Sequence, residues 1–260
     1  MKKLKIAFVT GALAAAAMAA PASAADIIYM TGTSNPWGNT ANNAAMNTAF
    51  GAGNYQTANG FNVSAFDGTY DFVYLDGGDG ISGEFDAFLA ANVALIESFV
   101  NGGGTVFLNA ARWTNPTLDL GFGTQLIGEE YSNNAALTAD GIAAGLGANG
   151  AGTAWTGTYF SHDVVTGVDT CYVSGDYGCV FGNVGGLFVG GQTSTNFHSA
   201  GGDQLRVNQL LFAARGADFQ GAVPEPMTWM MLILGFLGIG GLMRRKNAAA
   251  RPSTLRVTYS

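Results

Sequence analysis

Two uncharged apolar stretches, one near each end and each bordered by cations, decide which part of this 260-residue chain can fold as a water-soluble body. At the amino end, Lys2, Lys3 and Lys5 precede an apolar run over residues 6–20, and Ala22-Ser23-Ala24 places small residues at a cleavage position. Residues 1–24 therefore read as a secretory signal peptide, with Ala25 as the mature start. Residues 227–243 (MTWMMLILGFLGIGGLM) carry no charge and are followed by Arg244, Arg245 and Lys246. As a helix this segment reaches about 25 Å, the short end of a transmembrane span. The basic triplet would hold its far side in the cytoplasm, with the body outside and residues 247–260 as a cytoplasmic tail.

Removing the ends changes the charge of what remains. The whole chain has a formal net charge of −7, but residues 25–222 hold 17 acids against Arg112, Arg206 and Arg215, with no lysine. A body near −14 has nothing with which to neutralise phosphates, which excludes nucleic acid as a partner. The same sign excludes attraction of the body to anionic lipid.

The end of the chain also resembles a known sorting signal. Val223-Pro224-Glu225-Pro226-Met227-Thr228-Trp229, then a glycine-bearing apolar segment, then Arg244-Arg245-Lys246, is similar to a PEP-CTERM tail of the PEP-x-x-W type over residues 222–246. The resemblance implies that Pro224, Glu225 and Pro226 are the recognition motif and Trp229 the aromatic of its extension. It implies as partners a signal peptidase, the inner membrane of a Gram-negative cell and an exosortase, a transpeptidase-like membrane enzyme. The fate it implies is tail cleavage and export to the periplasm, cell surface or extracellular matrix, often beside exopolysaccharide in a biofilm. Met230 replaces the usual alanine, and the polar tail is longer than many members carry.

The body, residues 25–221, is long enough for one domain and rich in glycine, hence in loops. Its first half alternates. Residues 27–30 are a short apolar run, residues 39–50 suit a helix, and residues 61–66 alternate with period two. A stronger strand over 70–75 (YDFVYL) precedes a helix with apolar residues from Phe85 to Val100 at three- and four-residue spacing. Gly102-Gly103-Gly104 and an apolar strand over 105–108 follow. This order predicts an α/β domain with a mainly parallel, flavodoxin-like sheet and helices on both faces; the second half alone favours a β-sandwich. YDFVYLDGG, the helix, GGGTVFL and GGLFVGG resemble the class I glutamine amidotransferase-like fold. Catalytic members carry a cysteine at a tight turn after a central strand. Here that place reads Asn109-Ala110-Ala111-Arg112-Trp113, so the resemblance implies framework without amidotransferase chemistry.

Other candidate chemistry is sparse. Cys171 and Cys179 are the only cysteines, and an exported body would keep them as a disulfide. Ser161-His162-Asp163 has residue types for acid–base work, but neighbours on a strand point to opposite faces and cannot form a relay. His162 and His198 are therefore expected at the surface. Asp76, Asp79, Glu84 and Asp86 could gather oxygens around calcium, without the EF-hand spacing, or could serve as helix N-terminal acids. Trp37, Trp113, Trp155, Tyr159 and Phe160 in polar, glycine-rich surroundings would suit sugar rings if exposed. The leading expectation is an exported, non-enzymatic surface or matrix protein without a resident cofactor. The alternatives are an amidotransferase- or hydrolase-like enzyme with relocated catalytic groups, and a calcium-dependent adhesive module.

Overall fold

The computed structural model describes residues 26–34, 39–78, 80–112, 117–193, 201–218 and 258. The signal peptide, the sorting tail with Pro224, Glu225, Pro226, Trp229, Arg244, Arg245 and Lys246, and also Trp37, Asp79, Trp113 and His198 lie outside the described residues. No helix among the described residues is long and apolar enough to cross a membrane.

Strands β1 (Ile27–Thr31), β2 (Gln56–Asn59), β3 (Phe72–Asp76), β4 (Thr105–Asn109) and β10 (Leu187–Gly190) run parallel in the order β2-β1-β3-β4-β10. Beyond β10 the sheet turns antiparallel, through β9 (Gly178–Val184), β7 (Ala154–Thr166), β6 (Thr124–Leu137) and β5 (Leu118–Gly121). β8 (Thr170–Gly175) pairs with both β6 and β9, so β6, β7, β9 and β8 close on one another as a small barrel.

The expectation of a mainly parallel, flavodoxin-like sheet is thus incorrect. Among the described residues six antiparallel ladders stand against four parallel ones. The cause is turn length, because parallel neighbours need a crossover of a dozen or more residues, whereas antiparallel ones need two. β5–β6, β8–β9 and β9–β10 are each joined by two residues: Phe122-Gly123, Asp176-Tyr177 and Gly185-Gly186. Phe122 (φ 54°) and Gly123 (φ 75°) both take the positive φ that a type I′ hairpin requires. Residues 61–66 are corrected as well: β2 precedes them, and Val63–Phe66 is a 3-10 turn.

Helices cover both faces. α1 (Asn39–Phe50) and α4 (Gly202–Asp218) pack together on one face. There Ala45, Met46, Leu205, Leu210 and Ala213 meet Tyr29, Phe72, Tyr74, Phe107 and Phe188 of the sheet. α2 (Ser82–Asn101) covers the other face, burying Phe85, Leu89, Ile96 and Phe99 against Ile28, Met30, Val73, Leu75, Val106 and Leu108. The period-two split of each strand between two cores is why β1, β3 and β4 are apolar on nearly every residue. α3 (Ala139–Ala143) caps the small barrel; its Gly141 packs so closely that a Cβ there would overlap the Tyr172 carbonyl.

Candidate functional site at the carboxyl edge of the sheet

The face under α1 and α4 is built in two rows. Tyr29, Tyr74, Phe107 and Phe188 lie opposite one another across β1, β3, β4 and β10. Tyr29 and Tyr74 stack at 5.0 Å, as do Tyr74 and Phe107. Two residues further along, on the same face, come Thr31, Asp76, Asn109 and Gly190, the last residues of their strands. A polar row therefore sits at the carboxyl edge directly beyond an aromatic one. In open α/β sheets that edge is where ligands bind.

Asp76 is at the centre. It is buried and accepts hydrogen bonds from the Tyr29 hydroxyl (2.8 Å) and the Asn42 amide of α1 (2.7 Å). Burial pushes its carboxyl up, opposed by the bonds from Tyr29 and Asn42 and by the charge of Arg206. Burial and the Asp76 charge drive the Tyr29 phenol far up, and burial does the same to Tyr74. Both tyrosines are therefore neutral hydroxyls. Arg206 of α4 is fully buried with its guanidinium 5.4 Å from the centre of the Phe107 ring, a cation–π geometry. Its Nη2 donates to the Gln192 carbonyl at 3.4 Å, an oxygen that also accepts from Asn109 Nδ2 at 2.9 Å.

Several polar atoms in this network have no partner among the described residues: Arg206 Nε and Nη1, Tyr74 Oη, Asn42 Oδ1, Asn109 Oδ1 and Gln192 Oε1. Native proteins rarely leave buried polar atoms unsatisfied, because each costs about 1–3 kcal/mol. Their concentration here marks this edge as the place where the interior departs from simple packing.

A second charged group lies on the same side, just past β4. Arg112, fully buried, donates to Asp163 of β7 through its backbone N–H (2.8 Å), Nε (3.0 Å) and Nη2 (2.7 Å). Nη1 reaches Asp86 of α2 at 3.2 Å, and Nη2 also donates to the Leu126 carbonyl. Burial raises the Asp163 carboxyl to about 6 against the pull of Arg112. Burial also raises Asp86, opposed by Arg112. The cluster ties β4, α2 and β7 together, joining the parallel and antiparallel parts of the sheet.

The residues singled out from sequence are dispersed. Asp76 is bound to Tyr29 and Asn42, Asp86 to Arg112, and Glu84 to the backbone N–H and hydroxyl of Thr33. Among the described residues no three His, Cys, Asp or Glu side chains come together as a metal site. His162 is not a surface residue; it is buried and meets Tyr131 and Tyr159 edge-on at 5.4 and 5.8 Å. Trp155 and Phe160 are core residues stacked at 5.5 Å, and the indole N–H donates to the Ala151 carbonyl. Ala110 and Ala111, directly after β4, are buried. Cys171 and Cys179 are joined, bridging β8 to β9 with 5.7 Å between Cα atoms.

Tyr29, Asn42, Asn109, Arg112, Gln192 and Arg206 were not singled out by motif, and Asp163 only as the neighbour of His162 in Ser161-His162-Asp163. One signal did exist. Arg112 and Arg206 are two of only three cations in a body without lysine, and arginines that scarce are not there for solubility.

No family model matches the sequence, and no curated protein does. Among solved structures, a Thermoplasma acidophilum protein described as a proposed GMP synthase component is 13% identical, with a TM-score of 0.49, covering 75% of this chain and 98% of its own. A ThuA-like protein from Parabacteroides merdae is 13% identical, with a TM-score of 0.38, covering 74% of this chain and 89% of its own. Likenesses of this degree carry no argument about the chemistry of the present chain.

Proposed function

We propose that this chain is an exported display protein of the cell surface or extracellular matrix, delivered by a signal peptide and a PEP-CTERM-type tail, whose body works without covalent catalysis. The observation that carries the reading is the ordered tail: Pro224-Glu225-Pro226 with Trp229, an apolar segment, and Arg244-Arg245-Lys246. The Cys171–Cys179 disulfide supports it, since such bonds persist in oxidising compartments outside the cytoplasm. The acidic, lysine-free body also fits a molecule that must stay soluble and apart from anionic envelopes once released. Against an enzyme of the amidotransferase type stand Ala110 and Ala111 in the nucleophile's place. Ser161 Oγ, moreover, has no hydrogen-bond partner among the described residues.

Mass spectrometry of the mature protein tests the sorting step in cells with and without the exosortase. The expected result is a C-terminus near residue 226 only where the enzyme is present, with the Pro224→Ala/Pro226→Ala variant unprocessed. An intact Ser260 terminus in both strains refutes the reading.

A further inference from the structure

We propose that the cleft at the amino edge of the sheet, between the 3-10 turn, the start of β3 and the last two turns of α2, is a binding site for one neutral pyranose unit of a glycan. The cleft has a volume of about 340 Å³ and lies at the opposite end of the strands from the carboxyl-edge network. That size is at the lower end of the roughly 300–1,000 Å³ typical of small-molecule sites.

Its lining selects by chemistry. Half-buried Tyr70 supplies a ring at its wall, with the buried rings of Phe66 and Phe99 forming its floor, while Asp67, Asp71 and Ser98 supply oxygens. No lysine, arginine or histidine is present, and the two charges are negative, so phosphate, sulfate and carboxylate ligands are repelled. The polar rim would be left unsatisfied by a plain hydrocarbon. What remains is a molecule with hydroxyls around its edge and a C–H face, which is a sugar ring.

The hydrogen-bonding groups are available in the right mixture. Tyr70 and Ser98 hydroxyls have no partner among the described residues, and each can both donate and accept. Asp71 uses Oδ2 to accept the Asp26 N–H at 3.2 Å, which fixes the carboxylate and leaves Oδ1 available. Asp67 accepts the Thr69 N–H at 2.9 Å. Bonds from Thr69 hold its carboxyl below the usual range, so it remains an acceptor. A quaternary ammonium cation offers neither a hydrogen-bond donor nor an acceptor and would leave both hydroxyls unmatched.

Glycines turn the backbone around the cleft. Gly68 (φ 92°) and Gly103 (φ 100°) line it in the left-handed region, where a Cβ at either would meet nothing within 4 Å. Gly104 brings the chain against the Phe99 ring, where a Cβ would overlap the ring, and so holds Phe99 as the inner wall. Phe66 and Phe99, edge to face at 5.4 Å, fix each other.

This inference stands apart from the export reading, since binding is measured on purified protein whatever happens to its tail. Saturation-transfer NMR and calorimetry on the full chain in detergent would use methyl glucoside, methyl galactoside and methyl mannoside. Methyl glucuronide serves as the anionic probe and tetramethylammonium as the cationic one. The expected result is binding of at least one neutral glycoside and none of the charged probes. Ser98→Trp, at an exposed helical position beside the cleft, should abolish binding without changing Tm. Asp71→Asn should weaken it about tenfold through loss of a charged acceptor. Three results overturn the proposal: no neutral glycoside bound at high millimolar concentration, binding untouched by both variants, or tetramethylammonium bound in preference to the sugars.

Discussion

Replacing Arg112 by leucine should destabilise the protein in a way that depends on pH. Arg112 is the counterion of Asp163, which is fully buried and accepts three of its hydrogen bonds. Asp163 titrates at about 6 in the folded protein against about 3.9 unfolded. Between those values the native state holds more proton than the unfolded one. Stability from this group is therefore full below the unfolded pKa and is lost as pH rises through the folded one. At pH 7.5 the ionised, buried carboxylate then costs about 3 kcal/mol. Without Arg112 the pKa moves past the assay pH, and holding the group protonated at pH 7.5 costs about 5 kcal/mol. At pH 5 both proteins already hold it protonated, at about 1.5 kcal/mol each. The variant should thus lose about 3–5 kcal/mol at pH 7.5, as broken buried pairs do. About 2 kcal/mol of that should disappear at pH 5. Urea unfolding with the disulfide intact, at both pH values, measures it. Arg112→Leu/Asp163→Leu should be more stable than the single variant at pH 7.5. A loss equal at both pH values, or larger at pH 5, refutes the reasoning.

Four further outcomes are expected. Tyr29→Phe removes the 2.8 Å donor to Asp76 and should cost about 1–3 kcal/mol, more at pH 8 than at pH 5 because Asp76 is a buried acid whose pKa rises further; a calorimetric melt at the two pH values checks it. Cys171→Ser/Cys179→Ser should lower stability by about 2.5 kcal/mol, the entropy of opening a nine-residue loop, as read from urea midpoints against the oxidised protein. Gly191→Ala sets a Cβ against the Asp163 carbonyl and should cost at least about 1–3 kcal/mol as overpacking. Gly53→Ala, where a Cβ meets nothing, should cost only the positive-φ strain, about 1–2 kcal/mol; urea midpoints of the two variants separate the two costs.

Local elements of the first half were legible because each was written in one short stretch. Residues 39–50 are the helix that their small face suggests, and the run from Phe85 to Val100 ends at Gly102 as a glycine stop should. The strand over 105–108 reads plainly because it is buried on both faces. Residues 61–66 misled because alternation over six residues also fits a turn that buries only Ala65 and Phe66. The second half was misassigned because sheet direction depends on the loops. Three two-residue hairpins between Gly121 and Leu187 forbid parallel crossovers, a fact carried by turn chemistry rather than by apolar periodicity. His162 was expected outside by residue type, yet it faces Tyr131 and Tyr159 in a place that only the strand pairing creates.

From its sequence alone the chain set its charge distribution, its two uncharged apolar stretches near the ends and the pairing of its only two cysteines. These are properties of composition, order and short spacing, which survive unfolding. Tertiary structure decided what the scarce polar residues do. Arg112 became the buried counterion of Asp163, and Arg206 a buried cation over Phe107 whose charge lowers Asp76, because β4, β7, β3 and α4 converge at one edge. Asp67 and Asp71 came to border a cleft with Ser98 because α2 returns across the start of β3. A charge in sequence has a sign but no dielectric and no neighbour; the fold supplies both, and with them the difference between a solvated side chain and a site.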